Sequence, residues 1–314
     1  MIQKQKRPSV GVAVITHTAK QHLQYSLPPI LQSPLKPRVV VVNSSSQDGT
    51  VEEAERLGAE TLVIPRSEFN HGSTRERARK HLNTDIVVML TPDAYALNKH
   101  SLEALVAPLI NGEASVAYGR QVPHDSAGVL EAYPRYFNYP SKGHVRSLKD
   151  IDKHGIYTFF CSDTFSAYLN TSLDEIGGFG SVLTAEDTFA VAKLLRSGHN
   201  IAYVAEAVVK HSHKYTLAQE FKRHFDTGLV RKQYAPLLQC PGGDMKRGRV
   251  FVRGLIEQVV KWRFRLFPYA AAHIFAKWLG YQLGRRSVKA PVWWKRTLSS
   301  QDYYWSSQDF LEKK

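Results

Sequence analysis

A chain of 314 residues, 43% hydrophobic and 22% charged, can bury a full core and has the balance of a soluble globular protein, which excludes a fibrous or disordered chain. Two cysteines, Cys161 and Cys240, are too few for a disulfide framework or a zinc site and favour a reducing compartment. The net charge of +14 is unevenly placed: residues 214–314 carry 20 Lys and Arg against 7 Asp and Glu, while the first 213 carry 22 against 21. A near-neutral body with a basic last third implies an anionic partner, either nucleic acid or a membrane face.

Residues 1–8 are basic and lead into a short apolar run without a small-residue cleavage site, so they do not read as a secretory signal, and a cytosolic protein is expected. Residues 10–15 and 39–42 are β-branched runs that end in polar residues, and 51–57 form a helical pattern closed by Gly58. A further strand is predicted over 61–65, and the apolar run Ile86–Leu90 is stopped by Pro92. Strands alternating with helices from the start predict a doubly wound, mostly parallel α/β sheet, which binds ligands outside the carboxyl ends of its strands. No Gly-x-Gly-x-x-Gly follows the first strand and no P-loop occurs, so neither a dinucleotide site nor a Walker site is indicated.

Several polar residues fall on that edge. Asn43 ends the second strand, Asp48-Gly49 marks a turn and Thr50 is a helix N-cap candidate. The loop 68–75 joins Gly72 to hydroxyls and Arg75 at a helix start, a composition suited to phosphate, although Ser73 with Glu76 would also make a capping box. Asp93 follows the fourth strand, either as a functional carboxylate or as a cap on the turn into a helix at 101–105. Glu186-Asp187 opens a helical run after Gly177-Gly178-Phe179, which suits a general base or simply two acids favoured by the helix dipole. His211 and His213 alternate along a strand at 208–213, so both rings are expected on one face and available to a metal.

The pattern breaks at 239–244, which is taken as a boundary. Beyond it, residues 250–268 and 270–283 mix aliphatic and aromatic residues with Arg and Lys. No stretch reaches the length of a membrane span, and basic amphipathic helices bearing tryptophan suit a membrane surface; a helical subdomain packed on the body is the alternative. A nucleic-acid-binding protein gripping phosphates with this region is a reading from another class. The heavy interleaving of Leu, Ile, Val and Phe favours the membrane.

The succession Val42-Asn43-Ser44-Ser45-Ser46-Gln47-Asp48-Gly49-Thr50, Phe69-Asn70-His71-Gly72-Ser73-Thr74-Arg75 and Leu90-Thr91-Pro92-Asp93-Ala94 resembles the family 2 glycosyltransferases, in their bacterial rhamnosyltransferase branch. Tyr118-Gly119-Arg120-Gln121-Val122-Pro123, Arg135-Tyr136-Phe137-Asn138-Tyr139-Pro140, Phe159-Phe160-Cys161-Ser162, Gly177-Gly178-Phe179, Ala185-Glu186-Asp187-Thr188 and His211-Ser212-His213 continue the likeness in order, over residues 9–230. Asn43 departs from the branch's usual aspartate, Ser45 from its glycine and Pro92 from its glutamine.

The resemblance implies a GT-A fold, with a Rossmann-like nucleotide-binding sheet flanked by helices and a basic helical C-terminal extension. With the break at 239–244 and the composition of the tail, the chain divides into a catalytic domain at 1–238, its donor-binding half ending near 123, and a membrane-associating region at 239–314. Asp93 would be the surviving acid of an Asp-x-Asp motif, holding Mg²⁺ or Mn²⁺ with His211 favoured over His213 as its partner. Asp187 would be the base of an inverting transfer. Thr16, Asn43, Ser45, Asp48, His71, Gly72, Arg75 and Thr91 would join Asp93 at the donor, and Arg120, Gln121 and Glu186 would meet the acceptor. The implied reaction moves L-rhamnose from dTDP-β-L-rhamnose, or another sugar from a UDP or GDP donor, to a lipid-linked glycan of the bacterial surface. Such an enzyme would sit peripherally on the inner face of the cell membrane and take no nucleic-acid partner.

Overall fold

The computed structural model describes residues 7–241 and 245–312. Residues 1–6, part of the basic N-terminal reading, and 242–244, part of the expected boundary, lie outside the described residues.

The strands are β1 (Val10–Thr16), β2 (Arg38–Asn43), β3 (Glu60–Val63), β4 (Ile86–Leu90), β5 (Tyr95–Ala96), β6 (Val116–Val122), β7 (His144–Arg146), β8 (Phe165–Leu169) and β9 (Ile201–Lys210). They form one nine-stranded sheet in the order β3-β2-β1-β4-β8-β6-β9-β5, with β7 also on β9. The first four strands run parallel, as predicted; β1, β2 and β4 are β-branched or aliphatic runs buried almost throughout, and β3 is the partly exposed edge strand. β8 is antiparallel to both β4 and β6 and so joins this nucleotide-type half to the parallel pair β6 and β9.

The described helices are α1 (Lys20–Leu31), α2 (Thr50–Leu57), α3 (His71–Leu82), α4 (Ser101–Ile110), α5 (Val129–Asn138), α6 (Ile151–His154), α7 (Asn170–Glu175), α8 (Glu186–Arg196), α9 (Leu217–Gln233), α10 (Met245–Trp262), α11 (Phe267–Arg286), α12 (Val292–Leu298) and α13 (Gln308–Leu311). Leu23, Leu27, Ala54 and Leu105 bring α1, α2 and α4 onto one face of the sheet. Leu82, Leu173, Leu195 and Phe225 bring α3, α7, α8 and α9 onto the other.

Two local expectations are corrected. Thr50 is not the cap of α2: Asp48 accepts from its backbone N–H at 3.3 Å and its hydroxyl at 2.6 Å. The last strand stops at Lys210, so His211 and His213 lie just beyond it.

The C-terminal region is fastened to the body at several points. Gly280 and Gly284 of α11 let that helix approach α9 so closely that an added Cβ would lie 2.2 Å from the Phe221 carbonyl oxygen and 2.0 Å from that of Phe225. Asp226 of α9 accepts from the Ser300 backbone N–H and hydroxyl, at 2.8 and 2.6 Å. Tyr304 and Trp305 enter the same core cluster as Phe189 and Leu229. Among the described residues no helix is long and apolar enough to cross a membrane.

The glycine contact makes a prediction. Gly284→Ala should push α11 away from α9 and cost about 1–3 kcal/mol, read as a lower urea midpoint. An unchanged midpoint would show that the helix pair has room to spare.

Candidate active site

After β4 the chain turns at Thr91–Asp93, with the Ala94 N–H on the Thr91 carbonyl at 3.1 Å, and then adds β5 antiparallel to the end of β9. That excursion sets Asp93 beside the residues leaving β9. It does not cap α4, whose N-cap position is His100. The Nε2 atoms of His211 and His213 each lie 3.4 Å from Asp93 Oδ2, and one ligand atom from each of the three residues falls within 4.8 Å of the others.

The pairing of β6 with β9 shifts between Gly119, opposite Val204, and Arg120, opposite Val208, so that residues 205–207 of β9 bulge and the pairing resumes in a new register. Buried Gln121 then faces His211. Its Oε1 accepts from Arg135 Nη1 at 2.7 Å and from His211 Nδ1 at 2.8 Å. A guanidinium only donates, so this atom is the amide oxygen and His211 Nδ1 carries a proton. The Nε2 lone pair of a neutral His211 is therefore turned toward Asp93.

Burial lowers the pKa of His211, and burial together with neighbouring His211 brings His213 down to about 4. Burial opposes the charge on Asp93, but any proton taken up by His211 would be donated to its carboxylate and charge on either histidine would attract it, so the carboxyl stays ionised well below the usual range. Three acceptor atoms thus face one another with no proton obliged to lie between them, an arrangement that a cation relieves. One carboxylate oxygen and two imidazole nitrogens fit Mn²⁺ better than Mg²⁺, which prefers oxygen ligands and its own waters.

A second cluster lies at the start of α8. Ala185 precedes it in the left-handed region at φ 65°, a conformation costly for alanine, and this aims Glu186 and Asp187 inward. Buried Arg75 reaches Asp163 Oδ2 with Nε at 3.0 Å and Glu186 Oε1 with Nη1 at 2.7 Å. Asp187 receives only backbone N–H groups, from Asp163 at 3.3 Å and Thr188 at 2.6 Å, and the hydroxyl of Thr188. Three carboxylates sharing one guanidinium leave an excess of negative charge. Burial and then the charges of Asp163 and Glu186 push the Asp187 pKa up to about 8.

Segment 162–164 ties the two clusters together. Ser162 Oγ accepts from Gln121 Nε2 at 2.9 Å, Asp163 joins Arg75 and Asp187, and the Thr164 carbonyl accepts from the Thr91 N–H at 3.1 Å.

Other expected contacts are engaged elsewhere. The phosphate cradle expected at 68–75 is corrected: the Asn70 side chain already accepts from the Gly72 and Ser73 N–H groups, at 2.9 and 3.2 Å. Gly72 lies where a Cβ would meet the Gly180 carbonyl at 1.9 Å, so its task is close packing. Arg75 is spent on the carboxylates, Glu186 is spent on Arg75, and His71 meets the Tyr303 hydroxyl at 3.2 Å.

Asn43 is fully buried, donating to Thr16 Oγ1 at 3.2 Å and Ser46 Oγ at 2.8 Å and accepting from the Ser46 N–H at 2.8 Å; it organises its loop. Ser45 donates to the Ile64 carbonyl at 2.7 Å, and the loop hydroxyls and N–H groups bring Asp48 down to about 2 against partial burial. The buried Thr91 hydroxyl lies beside Asp93 and helps to hold its carboxyl in the ionised form. Arg120 and Gln121, expected together, point to opposite faces of β6, and the charge of Arg120 acts on the Tyr203 hydroxyl.

Residues the sequence reading passed over include Asp163, which follows Phe159-Phe160-Cys161-Ser162 directly, and Arg135, which opens another of the quoted motifs. Tyr303 lies more than two hundred residues from His71 and carries no local signal.

Residues 12–177 match the family model described as glycosyl transferase family 2. The chain is 37% identical over 280 residues, 88% of its own length and 89% of the relative's, to the O-antigen chain rhamnosyltransferase RfbN of Salmonella typhimurium. The corresponding WbaN of Salmonella anatum is 37% identical over 279 residues, with the same shares covered. Among solved structures, the mannosyltransferase PcManGT of Pyrobaculum calidifontis, in complex with GDP-Man and Mn²⁺, aligns with TM-score 0.57 at 17% identity, covering 99% of this chain and 89% of that one. TarS 1–349 of S. aureus in complex with UDP-GlcNAc aligns with TM-score 0.57 at 16% identity, over 98% and 92%. The fold is therefore the GT-A fold that the motifs led us to expect.

The raised Asp187 pKa has a consequence for stability. A carboxyl that holds its proton more tightly folded than unfolded contributes stability that is complete below about pH 4 and is lost as pH rises through about 8. Asp187→Asn should flatten that loss, giving a urea midpoint above that of the wild type at alkaline pH. Parallel pH curves for the two proteins would refute the shift.

Proposed function

The chain belongs to glycosyl transferase family 2, and from that premise we propose that it is a metal-dependent, inverting rhamnosyltransferase. It takes L-rhamnose from dTDP-β-L-rhamnose and places it on a lipid-linked saccharide in the assembly of a bacterial surface polysaccharide of the O-antigen kind. Support for the sugar and the pathway comes from relatives of nearly the same length named O-antigen rhamnosyltransferases. The observation that carries the chemistry is the pairing of Asp93, His211 and His213, whose acceptor atoms converge, with a separate carboxylate, Asp187, held near pKa 8.

In this reading Asp93, His211 and His213 hold a divalent cation, with Mn²⁺ preferred by the two imidazoles. When bound it neutralises the charge growing on the nucleoside diphosphate as that group leaves. Gln121 and Arg135 act through His211, fixing the tautomer that presents Nε2.

Asp187 accepts the proton of the acceptor hydroxyl while that oxygen forms its bond to the anomeric carbon. The bond from the same carbon to the diphosphate oxygen breaks on the opposite side, which inverts the centre. Asp163 and Glu186 keep Asp187 basic, and Arg75 keeps those two from collapsing onto it.

A thermal-shift panel of dTDP-, UDP- and GDP-sugars with and without Mn²⁺ tests the donor. Selective, metal-dependent stabilisation by dTDP-rhamnose is expected; an equal response to all donors, or to none, would sink the assignment. Asp93→Ala should abolish the metal-dependent part of that shift.

For the base, Asp187→Asn should lower turnover by about 100- to 10,000-fold while leaving donor binding intact. In the wild type, kcat/KM should rise with pH through about 8, because only the ionised carboxylate accepts a proton. Asp163→Asn, by removing a like charge, should move that midpoint lower. Substantial turnover in Asp187→Asn would overturn the base assignment.

A further inference from the structure

Helix α11 carries its residues in an unusual arrangement. The face against α9 holds Ala270, His273, Gly280 and Gly284, all buried. The outward stripe holds Phe267, Phe275 and Trp278, which are 39%, 57% and 50% exposed and stand at spacings of eight and eleven residues, on one side of a helix. A helix belonging wholly to water would show the reverse, with aromatic residues on the body and polar ones outside. The turn that leads into it is exposed throughout 261–269 and includes Trp262 and Phe264, at 66% and 69% exposure, with Leu266 and Tyr269.

Charge is the second observation. Between Glu257 and Asp302 the chain has nine Lys and Arg and no Asp or Glu, and Lys261, Arg263 and Arg265 alternate with the apolar residues of the turn. Lys261 Nζ lies 5.0 Å from the Trp262 ring centroid, so cation and ring share one patch. A continuous apolar stripe bordered by cations alone suits an apolar layer beneath anionic oxygens. A second copy of the chain would bring the same cations to the contact.

We propose that the 261–269 turn and the outward stripe of α11 form the surface by which the protein lies on an anionic phospholipid membrane. The rings reach the boundary between headgroups and acyl chains, and Lys261, Arg263 and Arg265 meet phosphate oxygens. The helix lies along the surface rather than across it: at 20 residues it has the length of a span but not the apolarity.

This surface also fixes the height of the active site. The glycine face of α11 is locked on α9, and α9 begins at Leu217, four residues after His213. A docked α11 therefore holds the Asp93, His211 and His213 centre at a set distance from the headgroups. The inference deepens the lipid-linked acceptor reading and rests on it for the purpose of docking, though not for the docking itself.

The test uses the full chain with vesicles of phosphatidylcholine, with and without phosphatidylglycerol, measured by co-sedimentation. Wild-type protein should bind the anionic vesicles only. The triple variant Trp262→Ser, Phe264→Ser, Phe267→Ser and the double variant Phe275→Ser, Trp278→Ser should each weaken binding by about a hundredfold. Lys261→Ala, Arg263→Ala and Arg265→Ala together should remove both the binding and its salt dependence.

Unchanged melting temperatures show that the variants fold, and the nucleotide-sugar thermal shift is read separately, so a failed donor assignment and a failed docking surface are distinguishable. Wild-type binding by the aromatic variants would overturn the proposal. So would loss of self-association or of RNA binding in those variants with vesicle binding unaffected.

Discussion

One guanidinium serves three carboxylates in this candidate active site, and much of the surrounding structure follows from that imbalance. Arg75 neutralises Glu186 and Asp163 by direct contact and leaves Asp187 with backbone and hydroxyl donors alone. A matched set of ions would have left Asp187 an ordinary ionised acid. The uneven set makes it proton-hungry near neutral pH, which is the property a general base needs. The arrangement costs stability locally, and it persists because Asn70, Gly72 and the strained Ala185 hold the ends of α3 and α8 together from outside the cluster.

The same economy of partners appears at the other cluster. Gln121 Oε1 takes two donors, one from Arg135 and one from His211, and its Nε2 goes to Ser162. Both lone pairs of that amide oxygen and one of its two N–H donors are thereby committed, so the His211 ring has a single favourable orientation. Ser162 and Asp163 are sequence neighbours. A shift of this short segment would move His211 through Gln121 and Asp187 through the Asp163 N–H at once, which makes it the mechanical link between the two halves of the site.

Much of this was legible in the amino-acid sequence, and the failures share a physical cause. The parallel strands announced themselves as β-branched runs, and Asp93, Asp187 and the two histidines stood out as candidates because each lies at the end of such a run or the opening of a helix. The 68–75 loop misled because glycine, hydroxyls and arginine are equally the composition of a phosphate cradle and of a tightly packed helix start. Only the Gly180 carbonyl above Gly72, and the two acids around Arg75, separate these readings, and both come from distant parts of the chain. Asp163 was missed by one residue because nothing local distinguishes a buried acid with an ion-pair partner from an exposed turn. Tyr303 returns to His71 through tertiary packing alone.

The basic tail is the clearest case of composition needing geometry to become an argument. Its charge and aromatic content were plain in the sequence, yet they could not say which face of each helix was already covered. Once Gly280 and Gly284 are seen against α9, the small residues of α11 are accounted for and the aromatic ones are left outward. The tail also returns to the catalytic body, placing Tyr304 and Trp305 in its core, so it is joined to the body beyond α11 as well as before it. A loosely tethered anchor would leave the active site free to tumble above a membrane. On the proposed reading, a membrane-docking surface clamped at α9 and again at the core would constrain the orientation of the candidate site, which a transfer to an acceptor confined to a plane would need.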